Sequence, residues 1–86
     1  MDLQADVSLY PLRTPHLSGT IDRFVAKLEQ AGLRVRPGAM GSTVTGGTAA
    51  LFDALRDAFA SVADEAEVVL VLKVSNACPA CSSTEP

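Results

Sequence analysis

Leu3, Ala5, Val7 and Leu9 alternate with Gln4, Asp6, Ser8 and Tyr10 at the head of the chain, the period of two expected of a strand with one packed face. Pro11 is expected to stop that strand. Thr14-Pro15 then reads as an N-cap followed by proline in the first helical position. Ile21, Phe24, Val25 and Leu28 recur at helical spacing as far as Gly32, a natural residue just past a helix end. Leu33 and Val35 alternate with Arg34 and Arg36 in a short strand closed by Pro37-Gly38, and a second short strand follows around Ser42 to Thr45 before Gly46-Gly47. From Thr48, a candidate cap, Leu51, Leu55, Ala58, Phe59 and Val62 share one helical face through about Asp64. The most apolar stretch, Glu67 to Ser75, forms the last strand.

The order is therefore βαββαβ. In so short a chain it predicts an α+β, ferredoxin-like sandwich, a four-stranded antiparallel sheet with both helices on one face. If Val7 and Leu9 pack on the helices, parity puts Asp6, Ser8, Tyr10, Arg34, Arg36, Thr43, Thr45, Val69, Val71, Lys73 and Ser75 on the open face. Val69 and Val71 would be exposed there, and a contiguous exposed apolar patch marks a partner or ligand surface. The first and third strands are expected to run parallel at the centre, with the fourth antiparallel beside the first. On that arrangement Asp6, the Met40-Gly41-Ser42-Thr43 stretch and Ser75-Asn76 meet at one edge of the sheet.

The whole chain is 86 residues, enough for a single domain over residues 1–79 and a polar tail over 80–86, expected to be flexible. A domain this small gains from self-association. The net charge of −3 and the scattered basic residues argue against nucleic acid, which selects for a basic face. No basic-then-apolar leader opens the chain, and the run Val68 to Leu72 is too short to span a bilayer, so a cytoplasmic protein without direct membrane insertion is expected. No cofactor is called for.

The converging groups offer a carboxylate (Asp6), hydroxyls (Ser8, Tyr10, Ser42, Thr43, Ser75), a carboxamide (Asn76) and the thioether of Met40. Such a set suits an uncharged or cationic heterocycle better than a phosphate. The same residue types also serve simply to end strands and satisfy turns.

Ser8-Leu9-Tyr10-Pro11-Leu12, Pro37 to Thr43, Leu51-Phe52-Asp53-Ala54-Leu55 and Val74-Ser75-Asn76-Ala77-Cys78-Pro79, in that order, resemble the YkoF-like thiamine/hydroxymethylpyrimidine-binding family in its single-repeat form. The resemblance covers nearly the whole chain up to Pro79 and departs at Gly41. It implies a ferredoxin-like fold and non-catalytic binding of thiamine or its hydroxymethylpyrimidine precursor, in support of vitamin salvage or transport. It also implies a homodimer or homotetramer. An aminopyrimidine needs acceptors for its amino group and donors for its ring nitrogens, which Ser8, Ser42, Thr43, Ser75 and Asn76 could supply. Asp6, Tyr10 or Met40 could flank the rings.

Three rivals remain. The open face could serve a ligand-free homo-oligomeric interaction module. Cys78-Pro79-Ala80-Cys81 has the spacing of a thiol pair or a zinc half-site, although no helix follows it to lower a thiol pKa and two ligands fall short of a structural zinc. Arg13 could suggest an acylphosphatase-like enzyme, but no glycine-rich phosphate loop accompanies it. His16, the single histidine, pairs with no nucleophile by spacing, and catalysis is not expected.

Overall fold

The computed structural model describes residues 2–77. Its elements are β1 (Asp2–Leu12), α1 (Leu17–Gln30), β2 (Arg34–Pro37), β3 (Ser42–Gly47), α2 (Thr48–Ala63) and β4 (Glu67–Ser75). The strands form one antiparallel sheet in the order β2-β3-β1-β4, so the ferredoxin-like α+β fold is as the hydrophobic pattern requires. Cys78, Pro79, Cys81 and the 80–86 tail lie outside the described residues.

Alternation along β1 sends Leu3, Ala5, Val7 and Leu9 into a core shared with Val44, Phe24 and Leu28 of α1, and Leu51, Ala58 and Val62 of α2. Val68, Leu70 and Leu72 of β4 pack against the same core from its margin, while Val69 and Val71 face outward, 45% and 49% exposed. Tyr10 and Leu12 extend that apolar patch, since Tyr10 lies opposite Val69 and Ser8 opposite Val71.

Gly32 ends α1. At φ +90° it adopts a conformation that side-chain-bearing residues disfavour. Its N–H donates to the Glu29 carbonyl (2.9 Å) and that of Leu33 to the Leu28 carbonyl (3.3 Å), the paired bonds of a Schellman motif. Leu28 and Leu33, both buried, supply the apolar contact that accompanies it and aim the chain into β2.

Four expectations are corrected. β1 and β3 run antiparallel, not parallel. The crossover through α1 leaves β2 parallel to β1, and the β2–β3 hairpin then reverses the chain. Pro11 does not stop β1, which continues to Leu12 paired with β4 alone; with no strand on its other side there, a missing N–H costs nothing. α1 starts at Leu17 with His16 at the N-cap position; Thr14 instead accepts the His16 N–H through Oγ1 (3.1 Å) in the turn before the helix. At α2 the N-cap is Gly47, and Thr48 is already helical.

The loop between β2 and β3 presses on β1. The Gly38 N–H donates to the Gly41 carbonyl (2.8 Å), closing the turn, and the Ser8 hydroxyl donates to the Met40 carbonyl (3.0 Å). At Gly41 a Cβ would stand 2.5 Å from Ser8 Oγ and 2.8 Å from the Val7 carbonyl oxygen, so only glycine permits this approach.

Two outcomes test the packing. Leu28→Ala, which empties a fully buried site under the helix end, should cost about 2–5 kcal/mol in chemical unfolding. Gly41→Ala should cost about 1–3 kcal/mol through overpacking against β1, read as a lowered thermal midpoint.

Candidate functional site

β3 begins at Ser42, opposite Val7, and its pairing with β1 runs from there back to Asp2. Beyond Val7, β1 has β4 on one side only. In a strand the N–H and C=O of residues i and i+2 point to the same edge. The Val7 carbonyl oxygen lies against Gly41, on the β3 side, and the alternation puts Pro11 on that same side. Leu9, between them in the alternation, therefore turns its N–H and C=O toward the edge that β3 leaves vacant. Among the backbone bonds outside regular elements in the described residues, none reaches Leu9.

This edge borders a groove of about 600 Å³. One wall is α1, through Ile21, Val25 and the carboxylate-bearing Asp22 and Glu29; the other is the loop from Pro37 to Ser42; β1 from Val7 to Tyr10 forms the floor. Its volume falls in the range of small-molecule sites, and its surface is mostly apolar with a few polar groups, the usual composition of such sites. Met40, 86% exposed at the loop tip, overhangs it with a soft, adaptable side chain.

A second, smaller hollow of about 310 Å³ lies on the open sheet face. Asp6, Ser8, Ser42, Thr43, Val71 and Lys73 contribute to it, together with Met40. Asp6 is the register partner of both Thr43 and Lys73, so an ammonium group stands beside the carboxylate intended for a cation.

The antiparallel register divides the residues that the sequence grouped together. Ser8, Met40 and Ser42 line both openings; Tyr10 lines the groove; Asp6 and Thr43 line the sheet-face hollow. Ser75 lies opposite Gln4, a few residues down β1 from the loop, and shares a shallow depression with Asp6 and Lys73. Asn76 is exposed beyond the end of β4 and lines none of these openings. Sequence reasoning missed Lys73 as a site neighbour and the α1 wall. Ile21 shares the apolar helical spacing of Phe24 and Leu28 but is 36% exposed on the groove. A signal for that wall existed: Asp22, Val25, Ala26 and Glu29 form a mixed stripe at helical spacing next to the buried stripe of Thr20, Phe24 and Leu28. His16 lies outside the groove lining.

Three of the arginines pair with carboxylates at the surface. Arg13 pairs with Glu67 and Arg23 with Glu65, both exposed. Arg56, bonded to Asp57 and near Asp53, has its pKa raised by the Asp57 hydrogen bond and then by both carboxylates, leaving it cationic on the solvated side of α2. Arg34, Arg36 and Lys73 on the open sheet face make no ion pair among the described residues.

Comparison with known structures gives the same fold. A hypothetical protein of Methanocaldococcus jannascii superposes with a TM-score of 0.79 at 25% identity, over 87% of this chain and 79% of that one. A domain of unknown function from Bacillus cereus reaches 0.75 at 24% identity, over 87% and 75%. A Thermotoga maritima protein provisionally named for thiamine biosynthesis or salvage reaches 0.77 at 21% identity, over 87% and 83%. No curated protein matches the chain. Residues 5–78, which take in both helices, every strand except the first three residues of β1, and all the residues lining the groove, match the family described as thiamine-binding protein. The chain belongs to that family.

Proposed function

We propose that this protein binds thiamine or its hydroxymethylpyrimidine precursor without transforming it, and that the ligand occupies the groove between α1 and the β2–β3 loop. The observation that carries this reading is the pairing of an apolar groove of suitable size with a strand edge that has lost its partner. Family membership supplies the ligand class. Ile21, Val25 and Met40 offer the flat rings apolar contact. Asp22 and Glu29 bias the rim toward a cation such as thiazolium, whereas Lys73 works against a cation in the sheet-face hollow. Binding without chemistry accords with polar groups that are main chain, hydroxyl and helix-borne carboxylate. Such a protein would hand the vitamin on in cytoplasmic salvage or transport.

We also propose that the protein works as a homodimer or homotetramer, through the apolar half of the open sheet face. Tyr10, Leu12, Val69 and Val71 are adjacent in register and exposed together, which a monomer of this size gains nothing by maintaining. Should this face be the whole function, a ligand-free interaction module is the reading that replaces the first. The thiol or zinc reading rests on Cys78 and Cys81, outside the described residues.

Titration calorimetry with thiamine and with hydroxymethylpyrimidine should give saturable heat in a chelator-containing buffer. Ile21→Lys, which puts a cation and a longer chain into the groove from an exposed position, should weaken binding at least about tenfold, about 1.4 kcal/mol. Its thermal midpoint should stay within about 4 °C of the parent. Absence of heat with either ligand removes the binding reading. Val71→Asp should lower the mass measured by sedimentation equilibrium to that of one chain; an unchanged mass would place the contact elsewhere.

A further inference from the structure

The floor of the groove owes a fixed polar feature to the backbone. Leu9 directs both its N–H and its C=O toward the vacant edge of β1, and in an extended residue these two groups lie side by side and nearly parallel. The result is a donor next to an acceptor on the floor of a mostly apolar cleft. A backbone pair left without partners in such surroundings costs free energy until something bonds to it.

We infer that the main chain of Leu9 is the element that reads the pyrimidine: the exocyclic amino group donates to the Leu9 carbonyl while the adjacent ring nitrogen accepts the Leu9 N–H. The inference deepens the proposed function and rests on it. A 4-aminopyrimidine carries its donor and its acceptor on neighbouring positions of one edge, in the plane of the ring, and so can lie against the strand as an additional strand would. In that pose the ring lies between Ile21 and Val25 on one side and the Met40 loop on the other, the two walls of the groove.

Main-chain recognition makes a demand that hydroxyls do not. Ser8, Ser42 and Tyr10 can each turn to donate or to accept, so a site read by hydroxyls adapts to either pattern. The Leu9 N–H can only donate and its C=O can only accept. Replacing the 4-amino group by oxygen converts the ligand edge to acceptor and N–H, and both positions then face their own kind. Discrimination between two analogues of almost identical shape is the signature of this edge.

The test uses the full chain, labelled with ¹⁵N, and two probes, thiamine and its 4-oxo analogue. Thiamine should saturate and move the Leu9 amide proton downfield, and the 4-oxo analogue should bind at least about 30-fold more weakly by calorimetry. Saturation by thiamine with the Leu9 amide unmoved, or equal affinity for the two probes, would overturn main-chain reading while leaving thiamine binding intact. No saturation by thiamine would remove the functional reading, and this inference with it.

Discussion

The late start of β3 is the constraint on which the rest of the molecule depends. β1 is eleven residues long and β3 six, and the register that sets Ser42 opposite Val7 leaves the second half of β1 with a single neighbour. A sheet of matched strands would have no such edge. What holds the register is the contact of Gly41 with Ser8 and Val7, where the chain passes too close for any side chain. The Ser8 hydroxyl on the Met40 carbonyl fixes the loop at the same point. One short stretch therefore sets both where pairing ends and where the groove wall stands.

The core supplies the other wall. Leu28 and Leu33, joined through the helix-terminating bonds around Gly32, bind the end of α1 to the start of β2. Phe24, 2% exposed, anchors the helix over β1. With Thr20, Phe24 and Leu28 facing inward, the neighbouring stripe of Asp22, Val25 and Glu29 has no freedom to turn away from the sheet edge. A protein of this size has few buried side chains to spare, and several of its largest serve to place α1. Fold stability and the shape of the groove thus rest on the same residues.

Most of the architecture was legible in the hydrophobic pattern because it obeys two simple periods. The alternation from Leu3 to Leu9 and the helical recurrence at Phe24/Leu28 and Leu51/Leu55/Val62 each bury one face, and burial of these residues is what the fold achieves. Gly32 was legible as a helix end for a local reason, its positive φ. Boundaries set by tertiary pairing were not. Pro11 belongs in a strand only because β3 stops short, and nothing in Tyr10-Pro11-Leu12 records where β3 stops. The candidate site suffered in the same way. Its loop, Met40 to Ser42, was found from residue types, but the assumed parallel pairing set that loop at the start of β1 beside Ser75 and Asn76, while the antiparallel register sets it at the middle of β1, with Ser42 opposite Val7 and Ser75 opposite Gln4. Leu9 was hidden altogether, since its side chain is core and only its main chain faces the groove.

That last point bears on how a small binding domain can tolerate change. A carboxamide or hydroxyl that reads a ligand is lost with one substitution, but a strand edge persists for as long as the register does. Here the register depends on the close approach at Gly41, on the burial of Val7 and Val44, and on α1 being held by Phe24 and Leu28. None of these residues has to contact the ligand through a distinctive side chain. Val7, Val44 and Leu28 can exchange with other apolar residues of similar volume and still preserve the edge. Gly41 cannot exchange without moving the loop, because the space for a Cβ is already filled by Ser8 and the Val7 carbonyl. Specificity of this kind is carried by geometry, and the position under the strictest demand is the glycine that sets it.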